Sequence, residues 1–206
     1  RLRAHCAAHR CHCPKGIGSP RTSCAENPFP NALPAILSPR VPTRTPDPNS
    51  LPDKIAVLCD LRDEHGRILL LRRKKAPNQG LCSPIGGKLD LHTGESPTQC
   101  AQREILEEAG IHVPLDRIRL VGMISERAFE HAGHWLIFWF RVLGHVTVPA
   151  QTIREGDLEW HDPAHIEPLP LPDTDRRIIW PAVKSHESPD GHTGFFALHI
   201  DCSTDK

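Results

Sequence analysis

The sequence predicts an α/β domain built from layers of strands and helices. Short apolar segments with β-branched residues stand before and after one amphipathic helical segment, and further helical segments follow near the end of the chain. Strands on both sides of a central helix, with helices at the end, are typical of layered α/β domains. The chain has 206 residues, enough for one domain of ordinary size and a tail.

Residues 1–50 differ from the remainder in composition. They contain nine Pro, seven Lys or Arg and two Asp or Glu, without a sustained helical or strand period. Such a segment buries too little apolar surface to offset the entropy cost of ordering. We therefore expect a disordered or loosely attached Pro-rich leader over residues 1–50 and one domain over residues 51–206. Whether the leader belongs to the mature protein is left open.

Charge and hydropathy exclude several classes of protein. The formal net charge is zero, so no general electrostatic attraction to nucleic acid or to an anionic membrane is expected. No stretch approaches the ~20 apolar residues that span a bilayer. Of the eight Cys, four lie in the first 24 residues, and the scattered other four are typical of buried thiols in a reducing compartment. We expect a cytoplasmic protein without nucleic-acid or membrane partners, and a homodimer is left open.

Three extended segments precede the helix. The first two flank the turn cluster DEHG (63–66) and are predicted to form a hairpin, whereas the third is interrupted by glycine. In chain order, these segments are KIAVLCDL (54–61), RILLLRR (67–73) and LCSPIGGKLDL (81–91).

The central helix has clear boundaries in the sequence. Ser96 is the predicted N-cap, and Pro97 occupies the first helical position, where its missing N–H costs nothing. Gly110 is the predicted C-cap. The predicted apolar side of the helix consists of Cys100, Ala101, Ile105 and Ala109, and Leu106 extends it.

The remaining chain alternates strands and helices. The strand HWLIFWFRVLG (134–144) is apolar almost throughout, which predicts burial on both faces. The other predicted elements are strands at RIRLVGMIS (117–125), GDLEWHD (156–162) and GFFALHI (194–200), a short helix at DPAHIEPL (162–169) and a longer helix at DTDRRIIWPAVKSH (173–186).

Three acidic residues crowd one turn of the central helix. Glu104 lies three and four residues before Glu107 and Glu108, and both spacings put side chains on neighbouring positions of a helix surface. Without a counterion, each like-charged pair is destabilising by a few tenths of a kcal/mol. A solvated helix face is the ordinary interpretation, and the sharper one is a site for a divalent cation, which prefers carboxylate oxygens.

The residues around this acidic turn favour its interpretation as a site for a divalent cation. Gly86 and Gly87 precede the helix, and glycine allows backbone to approach a ligand or metal closely. Glu95 is placed to pair with Arg103 and so to tie the loop to the helix. Basic residues at 72–75 are available to phosphate oxygens. Acidic groups for a metal and basic groups for phosphate are the requirements of pyrophosphate chemistry.

Residues 86–111, GGKLDLHTGESPTQCAQREILEEAGI, resemble the signature of the Nudix (MutT-type) hydrolases. The resemblance extends loosely over residues 53–200. One departure is that seven residues, rather than five, separate Gly87 from Glu95, so the loop carries a two-residue insertion. The positions that match in register are Glu95, Arg103, Glu104, Ile105, Glu107, Glu108, Gly110 and Ile111.

The resemblance implies a fold, a cofactor and site residues. The implied fold is the Nudix fold, an α/β/α sandwich with a mixed β-sheet, and the implied cofactor is Mg²⁺ or Mn²⁺. Glu107 and Glu108 would be metal ligands, and Glu104 would be a ligand or the base. The implied supporting roles are orientation of Glu104 by Arg103, pairing of Arg103 with Glu95, and completion of the metal shell by the carbonyl of Gly86 or Gly87.

Further candidates lie outside the motif. In this family another catalytic Glu often lies in a loop, and Glu155 is the first candidate, with Glu130 second. Arg73 and Lys88 are candidates for phosphate contacts. Against these assignments, exposed Glu, Lys and Arg at loops and strand ends are common.

Several other residues have an ordinary and a functional interpretation. We expect His131 and His134 to be solvated rather than metal ligands. Cys82 is expected to be a buried structural thiol, although an isopentenyl diphosphate isomerase-like enzyme would use a Cys. The aromatic residues of the 134–144 strand, Trp135, Trp139 and Phe140, could stack a base, but core packing is the default.

The resemblance implies a Mg²⁺-dependent diphosphohydrolase that cleaves a nucleoside diphosphate linked to another group. The stretch RILLLRRKKAPNQGLCSPIGGK resembles the branch that converts (oxidised) nucleoside triphosphates to monophosphate and pyrophosphate. ADP-ribose, NADH and dinucleoside polyphosphates stay open as substrates. The alternatives are a non-catalytic Nudix-type nucleotide-binding module and an isopentenyl diphosphate isomerase-like enzyme.

Overall fold

The computed structural model describes residues 53–76, 78–129, 133–188 and 194–203. The expected leader over residues 1–50 lies outside this part of the chain. Eight described strands form one sheet. Their bounds are β1 Asp53–Asp60, β2 Ile68–Arg73, β3 Cys82–Lys88, β4 Ile118–Arg127, β5 His134–Val142, β6 Gln151–Thr152, β7 Gly156–His161 and β8 Phe196–Asp201.

The helical elements follow the predicted order. Helix α1 spans Pro97–Ala109, and a single 3₁₀ turn at Leu115–Arg117 leads into β4. A second 3₁₀ turn, Pro163–His165, occupies the predicted short helix. The predicted longer helix begins as a π-helical segment, Asp175–Ile179, and continues as α2, Trp180–Ser185.

The sheet is mixed. Its strand order is β6-β7-β2-β3-β1-β5-β4-β8. Strand β1 pairs parallel with β5, and β4 pairs parallel with β8, whereas the other neighbouring strands are antiparallel. Parallel neighbours require crossover connections, and α1 lies within the connection between β1 and β5.

A hydrophobic core lies on each face of the sheet. Alternate residues of β2 contribute to different cores: Leu69 and Leu71 pack on the α1 side, and Ile68 and Leu70 pack on the α2 side. This division follows from the two-residue period of a strand. The predicted α/β/α sandwich with a mixed β-sheet is therefore confirmed.

The strands separate beside the acidic turn of α1. The first half of β3 pairs with β2 as far as Pro84, and the second half pairs with β1 from Ile85 to Lys88. Gly86 lies where β3 leaves β2, and a Cβ there would stand 2.1 Å from the backbone oxygen of Val57. Only glycine allows this approach of β3 to β1, and the separation leaves a cleft open above the second half of β3.

Two local predictions are wrong. The first two strands do not form a hairpin, because β1 pairs with β3 and β5 and β2 pairs with β3 and β7, so that the two segments meet only at the Arg62–Ile68 bridge. Leu106 is 48% exposed and does not extend the apolar side of α1; Glu104 and Glu108 take the positions that face inward.

The predicted longer C-terminal helix is present, and it changes from π to α form at Trp180, next to Pro181, which lacks the N–H that a regular α-helix would donate to the carbonyl four residues earlier. The preceding turns adopt the wider π form.

Four cysteines lie in the described ranges and all are buried, as expected: Cys59, Cys82, Cys100 and Cys202. None of the helices in the described ranges has the length and hydrophobicity to cross a bilayer.

Candidate functional site

Helix α1 is fixed at both ends, and this fixes the direction of its acidic residues. The Ser96 hydroxyl accepts from the Gln99 N–H, and the Gln99 side chain accepts from the Ser96 N–H, which together make a capping box. At the other end Gly110 has φ 70° and donates its N–H to the Leu106 carbonyl. The apolar side of α1 packs on β1 and β3, and Glu108 on the neighbouring position of the helix lines the cleft.

Arg103 connects the acidic residues of the site. Its guanidinium donates to both oxygens of Glu95, at 2.8 and 3.0 Å, and to Glu104 Oε1 at 2.6 Å. It also donates to the Lys88 carbonyl at 3.2 Å. The Arg103 hydrogen bonds hold the pKa of Glu95 down to about 2. The predicted Glu95–Arg103 pair is present in this structure, and it ties the loop and the end of β3 to α1.

Glu104 is buried against Gly87. The residue is 9% exposed, and a Cβ on Gly87 would lie 2.2 Å from Glu104 Oε1. Gly87 is therefore a requirement of the site, because any side chain would displace the carboxylate. Burial raises the pKa of Glu104, although the Arg103 hydrogen bond and charge oppose this effect.

Glu108 is the other buried carboxylate. It is 6% exposed, and its Oε2 accepts from the Gly86 N–H at 3.2 Å. Burial raises its pKa to about 7, and the negative charges of Glu104 and Glu155 add to this shift. Two buried acids facing the glycine pair are incompatible with the interpretation of α1 as an ordinary solvated face.

The pH dependence of stability is expected to report on Glu108. A carboxyl group whose folded pKa is raised stabilises the fold fully below its unfolded pKa, near 4.5, and loses that contribution as pH rises through about 7. Without divalent cations, Glu108→Gln is therefore expected to be more stable than wild type above pH 7, by about 3 kcal/mol at most. The difference should vanish near pH 4.5, which thermal unfolding in EDTA from pH 4.5 to 8 measures. A constant difference across that range would contradict the assignment.

Glu107 lies apart from the buried pair. Its side chain is 58% exposed, and its Oε2 lies 3.4 Å from Arg103 Nη1. In the part of the chain that the structure describes, no three His, Cys, Asp or Glu side chains are arranged to hold a metal ion. The oxygen donors of Glu104 and Glu108 nevertheless suit a hard divalent cation, which would relieve the repulsion between two buried carboxylates.

The loop insertion is absorbed in a turn. The Asp90 N–H donates to Glu95 Oε2, and the Glu95 N–H donates to the Asp90 carbonyl, which closes residues 90–95. The Asp90 side chain and carbonyl also accept from His92 and Thr93. The two extra residues therefore protrude outward, and Gly87 keeps its contact with Glu104.

One cleft of about 460 Å³ joins the motif to residues elsewhere in the chain. Its lining includes Gly86, Gly87 and Glu108 at one end. The candidates from outside the motif, Arg73, Lys88 and Glu155, line the same cleft. The pKa of Glu155 is lowered, chiefly by its hydrogen bond from Arg154, so Glu155 is ionised at neutral pH.

The cleft contains two acidic residues that the sequence analysis missed. Glu126 on β4 and Asp175 in the π-helical segment are buried, 4% and 8% exposed, and both line the cleft. Burial raises the pKa of both, and the charge of Glu126 helps to raise that of Asp175 to about 7. A signal for Glu126 was present: it shares a strand face with the buried Ile124, where alternation predicts an apolar residue.

The structure locates most of the residues for which the sequence allowed both an ordinary and a functional role. His134 Nε2 lies 3.4 Å from the Ser125 hydroxyl, and Cys82 is buried in the core on the α2 side. Trp139 and Phe140 are core residues, as expected, whereas Trp135 lines the cleft. Glu130 and His131 lie outside the described residues.

Comparison with known proteins identifies the family. Residues 52–180, more than half of the chain, match the family model described as NUDIX domain. Two proteins of Bacillus subtilis (strain 168) are similar. The "Uncharacterized Nudix hydrolase YvcI" is 29% identical over 114 residues, 55% of this chain and 69% of its own length. The "Putative 8-oxo-dGTP diphosphatase" is 31% identical over 116 residues, 56% of this chain and 71% of its own length.

Solved structures agree with this result. The MutT mutator protein of Bacillus halodurans superposes with a TM-score of 0.56 and 25% identity, covering 74% of this chain and 93% of that protein. The match to the NUDIX domain and the similarity to Nudix hydrolases together identify a pyrophosphohydrolase of the MutT type. The chain belongs to the Nudix family, whose hydrolases generally use divalent metal ions, and the predicted membership is confirmed.

Proposed function

We propose that the protein is a Mg²⁺-dependent Nudix diphosphohydrolase that cleaves a phosphoanhydride of a nucleotide. The observation that carries this proposal is the burial of Glu104 and Glu108 against Gly87 and Gly86, at the end of a cleft that also presents Arg73 and Lys88. Buried acidic groups beside basic groups suit a metal-bound polyphosphate. The ion itself could be Mg²⁺ or Mn²⁺, since both prefer oxygen ligands.

The residues of the motif have distinct roles in this proposal. Glu104 and Glu108 would hold the cation, and Glu107 and the Gly87 carbonyl would supply further oxygen donors. When bound, a divalent cation lowers the pKa of a water ligand and neutralises phosphate charge. Arg103 fixes the orientation of Glu104 through a 2.6 Å hydrogen bond, and Glu95 holds Arg103 in place.

The remaining polar residues act on the substrate. Arg73 and Lys88 contact the phosphate oxygens, which reduces the repulsion between the nucleotide and the acidic residues of α1. Glu155 is ionised and lies in the same cleft as Glu108, so it can accept a proton from the attacking water. Glu104 is the alternative base.

Nucleoside triphosphates, including oxidised ones, are the proposed substrates, with a monophosphate and pyrophosphate as products. The name of the second Bacillus subtilis relative supports this choice. ADP-ribose, NADH and dinucleoside polyphosphates are the competing substrates. The buried reduced thiols are consistent with the cytoplasm as the proposed compartment.

Two alternatives have less support from the structure. An isomerase that uses a thiol needs a Cys in the cleft, and no Cys belongs to its described lining. The buried Cys82 also has a pKa raised by burial, which disfavours the thiolate. In a non-catalytic binding module, two buried carboxylates that repel each other would destabilise the fold without contributing to catalysis.

A nucleotide panel tests the proposal. The protein is incubated with Mg²⁺ and with nucleoside triphosphates, 8-oxo-dGTP, ADP-ribose, NADH and diadenosine polyphosphates, and released pyrophosphate or monophosphate is measured. We expect turnover of triphosphates that EDTA abolishes and that Glu107→Gln lowers by about tenfold or more. The exposed Glu64→Gln serves as the control. Undiminished activity of Glu107→Gln would reject Glu107 as a ligand, and tight binding without turnover would favour the binding module.

A further inference from the structure

The ring of Trp135 on β5 lies against two lysine side chains from other strands. Lys54 Nζ of β1 is 4.8 Å from the ring centroid, and Lys88 Nζ of β3 is 5.7 Å from it. An ammonium group within about 6 Å of an aromatic ring is attracted to the face of the ring, and tryptophan attracts it most strongly. Trp135 therefore holds two positive charges close together, although like charges repel each other.

The strand register puts the two lysines on a line that leads away from the acidic turn of α1. Lys88 lies two residues after Gly86 on β3 and directly opposite Ala56 of β1. Lys54 lies two residues before Ala56, on the same face of β1 and ~7 Å farther from Gly86. Lys54 and Trp135 are direct neighbours in the pairing of β1 with β5. A ligand that extends from the proposed metal site along this line passes Lys88 first and Lys54 second.

The two ammonium groups on Trp135 differ from other lysines in their partners. Lys74 pairs with Asp157 at 2.7 Å, and Lys184 pairs with Glu167 at 3.8 Å. Among the described residues, no carboxylate forms an ion pair with Lys54 or Lys88, whose partner is the uncharged indole ring. An aromatic ring restrains a cation without cancelling its charge, so both positive charges stay available to an anionic ligand.

The cleft brings such a ligand to the two lysines. Lys88 and Trp135 line the cleft together with Gly87 and Glu108 of the proposed metal site. A phosphate group carries several acceptor oxygens, and ammonium groups bind it through charge-assisted hydrogen bonds. The proposed reaction needs only the two phosphates of the cleaved anhydride near the metal, so a second cation farther along the cleft suits a further phosphate.

We infer that Lys54 and Lys88 bind an additional phosphate group of the substrate, beyond the phosphoanhydride at the metal, and that Trp135 is the positioning residue for both lysines. This inference rests on the proposed function and names its substrate class, nucleotides that carry a phosphate besides the cleaved diphosphate. Such a phosphate is either the end of a triphosphate chain or a substituent of a ribose. Both sources present the same anionic group with several acceptor oxygens.

Two matched pairs of nucleotides provide the first test. GTP differs from GDP by the terminal phosphate, and NADPH differs from NADH by a phosphate on ribose. Dissociation constants are measured by calorimetry in EDTA, which removes the cation and with it the proposed turnover. We expect Lys54→Gln to weaken binding of GTP or of NADPH by about tenfold while changing that of GDP and NADH by less than about twofold. A loss for GTP identifies the phosphate chain as the source, and a loss for NADPH identifies the ribose.

The control for this test is Lys184→Gln, which removes a lysine that pairs with Glu167 on another part of the protein. It is expected to bind all four nucleotides as wild type does. If Lys54→Gln changed the two members of each pair alike, or if neither GTP nor NADPH bound more tightly than its partner in wild type, the inference would be overturned.

Variants of Trp135 provide the second test. Trp135→Leu is expected to weaken binding of the phosphate-bearing nucleotide by about fivefold, and Trp135→Phe, which keeps a ring, by about twofold. In protein that already carries Lys54→Gln and Lys88→Gln, Trp135→Leu should have no further effect, because no cation is left to position. An equal effect of Trp135→Leu in both backgrounds would show direct contact with the nucleotide or a structural role, and it would overturn the positioning role.

Binding and turnover together separate this inference from the proposed function. If no nucleotide is hydrolysed in Mg²⁺ but Lys54→Gln removes the preference of the protein for GTP over GDP or for NADPH over NADH, the proposed function fails and the phosphate site stands. If nucleotides are hydrolysed but Lys54→Gln leaves that preference unchanged, the inference fails and the proposed function stands.

Discussion

Glu108→Gln is expected to lower kcat for nucleotide hydrolysis by roughly a thousandfold while the metal-free protein becomes more stable at neutral pH. The expected loss in rate follows because the proposed metal site would lose one of its two buried carboxylates, with a cost of about 4 kcal/mol in the transition state. The gain in stability follows because glutamine keeps an acceptor for the Gly86 N–H and removes a buried charge that Glu104 repels.

The opposite direction of the two effects makes this variant informative. If Glu108 only supported the fold, its substitution would lower the stability and the activity of the protein together. Steady-state kinetics with saturating Mg²⁺ and thermal unfolding in EDTA measure both quantities, and the exposed Glu64→Gln is expected to change neither. Wild-type activity in Glu108→Gln would remove Glu108 from the metal site.

Arg103→Ala is expected to destabilise the protein by about 3 kcal/mol and to abolish most of its activity. The substitution removes the hydrogen bonds to Glu95, Glu104 and the Lys88 carbonyl, and it leaves the buried Glu104 without its cationic partner. For a domain of this size, a loss of about 3 kcal/mol corresponds to a decrease in Tm of roughly 10 °C. Arg103→Lys keeps the charge but not the two-pronged contact, so an intermediate loss is expected.

The pH dependence of this difference identifies its source. A carboxyl group with a lowered folded pKa stabilises the fold above its unfolded pKa, here near 4.5, and loses that contribution as pH falls through about 2. The stability difference between wild type and Arg103→Ala should therefore shrink between pH 4.5 and 2. Arg127→Ala, which breaks an exposed pair with Asp201, should cost less than about 1 kcal/mol. If Arg103→Ala and Arg127→Ala lowered the free energy of unfolding equally, the contacts of Arg103 would stabilise the fold no more than an exposed ion pair does.

The sequence was sufficient to predict the motif helix. Ser96, Pro97 and Gly110 are local signals, because caps depend on side chains and backbone within one turn. The pairing of Glu95 with Arg103 was also predicted, since both lie within one short motif. The same reasoning applies to the order of strands and helices, which depends on short-range patterns of apolar residues.

The direction in which α1 faces the sheet could not be predicted from its own sequence. The sequence pattern predicts Leu106 on the apolar side, but the packing of α1 on β3 turns Glu104 and Glu108 inward and leaves Leu106 exposed. Helical periodicity alone favours the leucine, and only the two glycines of β3 make space for buried carboxylates. Tertiary packing therefore overrides a hydrophobic pattern at the functional face.

The acidic pair of the cleft depends on long-range structure. Glu126 and Asp175 lie on β4 and in the π-helical segment, and no motif includes both. The sheet order brings β4 next to β5, and the segment after β7 returns to the same side of the sheet. A single sequence does not show that these two residues are close in space. The position of Glu126 on the apolar face of its strand does indicate that this residue is unusual.

The proposed function depends on the binding of a divalent cation by the buried carboxylates of α1. Electron paramagnetic resonance of Mn²⁺, which substitutes for Mg²⁺, counts the free ion in the presence of protein. We expect the wild-type protein to remove at least about one Mn²⁺ per chain from solution at neutral pH and the Glu104→Gln and Glu108→Gln variants to remove far less. A free Mn²⁺ signal that wild type and both variants lower equally would contradict this expectation.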